Sequence, residues 1–268
     1  TAPEGVTGAP LILGLHGGGM EGGDKGRRLG ASSGFSELAE REGFVAAYPS
    51  SYAGNWDDGR DAPFVPPEGI SDLDFIEAVI DDIDTRVGID RDRVYVTGAS
   101  NGGFMTNHLA CQRTELFAAF ANVIGGMPTD YVCEPQALAP MLLMPGTADP
   151  LVPYEGGAVA GEDEESGQRG SLIPQTENQA FWRDANNCTG DPVVTSRPDT
   201  ATEDGSTVRE ERWTACDGDS EVLSLIVEGG GHTWPGGTQY APVALIGTVN
   251  RDIVAQDEIW AFFQRHSR

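Results

Sequence analysis

Three side chains far apart in this chain, Ser100, Asp149 and His232, carry the residue types needed for nucleophilic acyl transfer, and each follows an apolar run. Gly98-Ala99-Ser100-Asn101-Gly102 comes directly after Arg93-Val94-Tyr95-Val96-Thr97. A serine framed by glycines two residues to either side is the pattern of a nucleophile elbow. In that sharp strand-to-helix turn the serine takes strained backbone, and side chains at the flanking positions would meet neighbouring main chain. After Asn101, the residues Phe104, Met105, His108 and Cys111 recur at helical spacing. A helix beginning there aims free N–H groups at the serine and favours negative charge beside it.

A hydroxyl nucleophile needs a base, and the chain has four histidines. His108 falls on the apolar-patterned helix after Ser100 and reads as a packed core residue, His266 lies in the tail, and His16 precedes the serine in a glycine-rich loop whose shape it would fix. His232 remains, in Glu228-Gly229-Gly230-Gly231-His232-Thr233-Trp234-Pro235-Gly236-Gly237, just after a strand-like run. The acid that orients it is expected at Asp149, in Pro145-Gly146-Thr147-Ala148-Asp149-Pro150 after the apolar Met141 to Met144. Asp191 and Asp199 also fall between serine and histidine, but in polar, proline-flanked stretches that read as turns. His16-Gly17-Gly18-Gly19 follows the first apolar run, where glycine amides can approach a developing oxyanion. The expected donor pair is the backbone N–H groups of Asn101 and Gly18, with Gly19 as the alternative to Gly18. A P-loop is excluded, because no Gly-Lys-Ser/Thr follows at the required spacing.

Elements that could position these groups alternate along the chain. Residues 10–15, 44–48, 94–97, 117–123, 141–144 and 223–227 are near-continuously apolar, as strands buried on both faces are. Ser71 can cap a helix in which Ile76, Val79, Ile80, Ile83 and Val87 form one stripe, and a last helix is expected from about Asp252 to His266. This alternation predicts an α/β fold, a mostly parallel central sheet with helices on both faces, its reactive residues at the carboxyl ends of the strands. At 268 residues with no Pro/Ser-rich linker or repeat, residues 1–268 read as a single domain. No apolar run is long enough to span a membrane and no signal peptide is visible; because the chain opens at Thr1, a trimmed form is expected.

The formal charge of −25 sets 42 acidic residues against 17 basic ones, and Lys25 is the sole lysine. Such a surface repels nucleic acid and anionic membranes, so a neutral or weakly charged substrate, small molecule or polymer, is expected as partner. The charge itself reads as surface adaptation to saline surroundings, and Glu162-Asp163-Glu164-Glu165 as a solvated loop. The four cysteines, Cys111, Cys133, Cys188 and Cys216, show no metal-ligand spacing, and neither metal nor cofactor is expected. Their even number suggests two disulfides and an oxidising compartment. Sequence proximity favours Cys111 with Cys133 and Cys188 with Cys216, among three possible pairings.

The order Ser100, Asp149, His232 is that of α/β-hydrolases. Leu15-His16-Gly17-Gly18-Gly19, Gly98 to Gly103, Gly146 to Tyr154 and Gly229 to Gly237 together resemble the extracellular polyhydroxybutyrate depolymerase and feruloyl esterase group, which overlaps family-one carbohydrate esterases. Asn55-Trp56-Asp57-Asp58-Gly59-Arg60, Phe181-Trp182 through Cys188, and the tail from Arg251 are similar to that group as well. The resemblance covers nearly the whole chain. It implies the α/β-hydrolase fold, secretion, and cofactor-free ester hydrolysis by the triad above through an acyl-enzyme. Pro145 departs from it where the group often has histidine, and the strands that usually lead the sheet are expected to be short or missing. Trp56 and Trp234 are the candidates for an acyl-binding cleft, since aromatic walls suit a feruloyl ring or an aliphatic polyester segment. With no polymer-binding module appended, feruloyl or other aryl esters are the first expectation and polyhydroxybutyrate-type polyesters the alternative. A noncatalytic binding protein on the same fold is the reading from a different class.

Overall fold

The computed structural model describes residues 1–18, 25–60, 67–160 and 170–268. Glu162-Asp163-Glu164-Glu165 and Gly19 lie outside the described residues. The first half of the chain runs β1 (Ala9–Leu15), α1 (Lys25–Ser32), α2 (Phe35–Glu42), β2 (Val45–Ala47), α3 (Asp72–Val87), β3 (Ile89–Ala99), α4 (Asn101–Gln112), β4 (Ala119–Val123) and β5 (Met141–Met144). The second half runs β6 (Gly157–Ala158), β7 (Ser171–Leu172), α5 (Gln175–Ala185), β8 (Val193–Ser196), β9 (Thr207–Trp213), β10 (Val222–Glu228), α6 (Val243–Ile246) and α7 (Ala255–Phe263).

Every residue of β1, β4 and β5 is buried, in keeping with sequences that are apolar apart from Gly14 and Asn122. These strands belong to an eight-stranded sheet ordered β2-β1-β3-β4-β5-β10-β9-β8, parallel from β2 through β10. Period-two geometry divides their side chains between two cores. Leu11, Leu13, Val94, Val96, Met141 and Leu143 pack with Ile76, Leu109 and Trp182 of α3, α4 and α5. Ile12, Tyr95, Leu142 and Met144 pack with Phe35 and Leu38 of α2 and with Ile259, Phe262 and Phe263 of α7. Helices thus cover both faces, in agreement with the α/β-hydrolase expectation. Ser71 caps α3 as expected, its Oγ accepting from Asp74 N at 3.2 Å, and Gly88 ends that helix at φ 73°.

The antiparallel extension β10-β9-β8 was not expected from the sequence. β9 reads Thr-Val-Arg-Glu-Glu-Arg-Trp and has no apolar run. Its charges are held across the sheet instead: Arg209 Nε lies 2.9 Å from Glu228 Oε1, and Arg212 Nη2 lies 2.7 Å from Glu221 Oε2. The last helix is shorter than expected, and beyond it His266 is not a tail residue but buried, its Nε2 3.3 Å from Glu221 Oε1. The disulfides are Cys111–Cys133 and Cys188–Cys216, the pairing that proximity favoured.

Candidate active site

Parallel strands bring the carboxyl ends of β1, β3, β5 and β10 to one edge of the sheet, and every expected reactive group sits just beyond one of them. Ser100 occupies the turn from β3 to α4 at φ 56° and ψ −120°, a positive φ that few non-glycine residues take. Its amide donates to Val123 O at 3.0 Å, so the turn is fastened to β4. The glycines are sterically required: a Cβ on Gly98 would strike the Gly102 carbonyl, and one on Gly102 would strike the Leu15 carbonyl. As first residue of α4, Asn101 has no intrahelical acceptor for its N–H.

Asp149 and His232 meet across the β5 and β10 ends. Asp149 Oδ2 lies 2.7 Å from His232 Nδ1, and Oδ1 accepts from the amides of Leu151 and Val152, both at 2.8 Å. A carboxylate on Nδ1 fixes the tautomer with the proton on that nitrogen and leaves Nε2 as the basic atom. Main-chain pairing continues past the strands to hold both loops. Thr147 N donates to Val227 O at 3.0 Å, Ala148 N to Gly230 O at 2.9 Å, and His232 N to Ile246 O at 2.5 Å. Tyr240 Oη donates to the His232 carbonyl at 2.9 Å. Burial, with the Asp149 carboxylate beside it, raises the Tyr240 phenol above its ordinary pKa. Ser100 follows β3, which β4 separates from β5, and among the described residues no hydrogen bond joins its Oγ to His232, whose Nδ1 faces Asp149.

The first glycine loop abuts the elbow. A Cβ on Gly17 would lie 3.5 Å from Ser100 Cβ, and one on Gly18 would lie 3.2 Å from Asn101 Cβ, so the two expected oxyanion donors are neighbours. His16 fixes this loop as expected: its Nε2 accepts from Ser51 N at 3.1 Å and its Nδ1 lies 2.8 Å from Gly17 O.

Trp56 does not wall a cleft. It is 1% exposed, its indole Nε1 donates to His16 O at 3.0 Å, and its ring lies against His16 with centroids 5.0 Å apart, so it braces the glycine loop from beneath. Trp234 is partly buried against Phe35, with Nε1 donating to Gln256 Oε1 at 3.3 Å. His108 is not a core residue. It is half-buried with Nδ1 2.5 Å from Tyr131 Oη, and burial lowers its pKa against the opposing pull of Asp58 and Asp57. Sequence reasoning passed over Asp58 and Arg60, a buried ion pair at 2.6 Å hydrogen-bonded to Asn101. Their alternation in Asp-Asp-Gly-Arg was visible, but nothing local tied it to Ser100. Among the described residues no group of His, Cys, Asp and Glu could hold a metal ion.

Comparison with known proteins adds three findings. A profile described as the prolyl oligopeptidase family matches residues 71–132, the stretch holding α3, the elbow and α4. NocK of Nocardia uniformis subsp. tsuyamanensis, a protein named as an esterase, is 34% identical over 264 residues, covering 96% of this chain and 74% of NocK. Feruloyl esterase B of Piromyces equi is 28% identical over 165 residues, 60% of this chain but only 28% of that protein. Among solved structures, the acetyl xylan esterase from Aspergillus awamori superposes with a TM-score of 0.64 at 18% identity, covering 99% of this chain and 92% of that one.

Proposed function

This chain belongs to the α/β-hydrolase esterases and is a carboxylic ester hydrolase; from that premise we propose that it works through a Ser100 acyl-enzyme with His232 as base and Asp149 as its orienting acid. Ser100 Oγ attacks the ester carbonyl carbon while its proton passes to His232 Nε2. The resulting oxyanion rests on the N–H groups of Asn101 and Gly18. The tetrahedral intermediate collapses, and the alcohol departs with the proton from His232. Water, deprotonated by the same nitrogen, then attacks the acyl carbon and releases the acid, returning the proton to Ser100. The observation that carries this reading is the buried Asp149–His232 hydrogen bond at the strand edge that also presents the strained Ser100.

For the acyl group, the names borne by relatives suggest feruloyl or other esters on plant polysaccharide as substrates. A second reading, an aliphatic polyester, has an observation of its own. Between Glu228 and Arg251 there is no Asp, Glu, Lys or Arg, in a chain 22% charged overall. That stretch exposes Tyr240, Val243 and Leu245 by 62%, 56% and 62%, and is bonded to the His232 main chain through Tyr240 Oη and the Ile246 carbonyl. An uncharged apolar shelf next to the base suits an apolar chain better than a sugar. The two disulfides support an oxidising, extracellular setting.

The test is a fluorophosphonate probe with p-nitrophenyl acetate, methyl ferulate and hydroxybutyrate oligomers. Labelling should fall on Ser100, and Ser100→Ala should lose about 10⁴-fold or more in kcat. A Ser100→Ala protein that keeps most of its activity refutes the mechanism, and the ratio of kcat/KM between ferulate and oligomer decides the substrate class.

A further inference from the structure

We propose that Asp58 is a positioning residue for the oxyanion hole: its carboxylate, gripped by Arg60, holds the Asn101 side chain and through it the backbone amide that follows Ser100. This rests on the reading of Ser100 as nucleophile and adds to it.

The chemistry needs only the main-chain N–H of Asn101, yet the side chain there is buried and engaged at both ends. Oδ1 accepts from Trp56 N at 2.8 Å, while Nδ2 donates to Trp56 O at 3.2 Å and to Asp58 Oδ2 at 2.6 Å. Asp58 is itself fixed, with Arg60 Nη2 at 2.6 Å and Arg60 Nε at 3.0 Å from its oxygens. The Arg60 guanidinium in turn lies over the Phe104 ring, 4.0 Å from the centroid, so the ion pair grips the first turn of α4 at Asn101 and at Phe104.

The same segment reaches the other donor. Trp56 Nε1 holds the His16 carbonyl, and a Cβ on Gly18 would lie 2.5 Å from Asn55 Oδ1. Residues 55–60 therefore touch both stretches of backbone that would stabilise the oxyanion. A buried ion pair is a weak source of stability, but a rigid one is a good ruler. Donors aimed at the tetrahedral oxygen act on the transition state rather than on bound substrate, so misplacing them lowers kcat and leaves KM nearly unchanged.

The experiment measures p-nitrophenyl acetate kinetics for Asp58→Asn, Asp58→Ala, Asn101→Ala and the Asp58→Ala/Asn101→Ala pair, with near-UV circular dichroism as the check of fold. Each single change should cut kcat roughly 10- to 100-fold with KM within about twofold. The pair should be no worse than its worse member, because Asp58 acts through the Asn101 side chain that Asn101→Ala already removes. Affinity for phenylboronic acid, whose tetrahedral adduct on Ser100 places an oxygen in the hole, should fall by the same factor as kcat. Losses that multiply in the pair, a raised KM at constant kcat, or a folded Asp58→Ala with undiminished kcat would each overturn the proposal. Should Asp58→Ala fail to fold, Asp58→Asn/Arg60→Gln replaces it in the same comparison. Ser100→Ala separates the two levels: if it stays active the nucleophile assignment fails, and if it is dead while the Asp58 variants run at full kcat only the positioning role fails.

Discussion

Asp149 Oδ2 stands 2.7 Å from His232 Nδ1, and the other oxygen of the same carboxylate is clamped by the Leu151 and Val152 amides. The carboxylate therefore cannot turn without losing two backbone hydrogen bonds, and the imidazole it faces inherits that rigidity.

Asp149→Asn keeps the shape but can offer Nδ1 a donor, which stabilises the wrong tautomer and puts the ring proton on Nε2. The expected loss is roughly 10³- to 10⁴-fold in kcat, smaller than for Ser100→Ala, with the fold intact. A p-nitrophenyl acetate assay checks it; a loss under tenfold would remove Asp149 from the mechanism.

Two glycine substitutions separate steric exclusion from backbone strain. Gly102→Ala drives a methyl group into the Leu15 carbonyl of β1, main chain that cannot move aside. Gly43→Ala meets no atom within 4 Å and suffers only from φ 79° at the end of α2. The first should cost about 3 kcal/mol or more, the second about 1 kcal/mol. Thermal melts of the two variants should rank in that order by a wide margin, and equal Tm values would contradict the close packing of the elbow against β1.

What could be read in the sequence was what local sterics and apolar patterning determine. Ser100 with Gly98 and Gly102 was legible because strand, turn and helix there leave room for no other residue size. Asp149 and His232 were legible because each follows an apolar strand. Trp56 was misplaced because an aromatic residue in a polar segment looks like a cleft wall, while its actual partner, His16, lies 40 residues away. Asp58 was missed for the same reason, its bond to Asn101 spanning 43 positions. β9 was invisible because four charged residues separate its two buried apolar ones, Val208 and Trp213, and what holds it is main-chain pairing with β10 that the sequence does not display.

Removing one disulfide should separate stability from catalysis. Cys188–Cys216 joins residues 28 apart and ties the end of α5 to the connection between β9 and β10, remote in sequence from the Asp149 and His232 loops. Cys188→Ser/Cys216→Ser should lower stability by about 3 kcal/mol and Tm by roughly 6–12 °C. Well below that Tm, kcat should stay near the original value. A large fall in kcat at low temperature would mean that the bridge also shapes the active edge.

Acid sensitivity should centre on Glu221. Burial by itself would raise this carboxyl, but hydrogen bonds from His266 and Arg265, the Arg265 charge and the Arg212 hydrogen bond outweigh it and pull the pKa from 4.5 to about 2. A depressed folded value means that the stabilisation is full above the unfolded pKa of 4.5 and drains away as pH falls from there toward 2. Arg212 and Arg265 are each 36% exposed, so water weakens the pair, and the contribution is on the order of 2 kcal/mol. At the same time the net charge of −25 is neutralised on acidification, and relief of that self-repulsion works in the opposite direction. The wild-type curve alone mixes the two effects, so the informative quantity is the difference in Tm between wild type and Glu221→Gln. That difference should be roughly 4–8 °C near pH 7 and shrink steadily between pH 4.5 and pH 2, since the glutamine cannot titrate. A gap that holds constant through this window would show that Glu221 stabilises the fold by packing and neutral hydrogen bonds, with its charge contributing nothing.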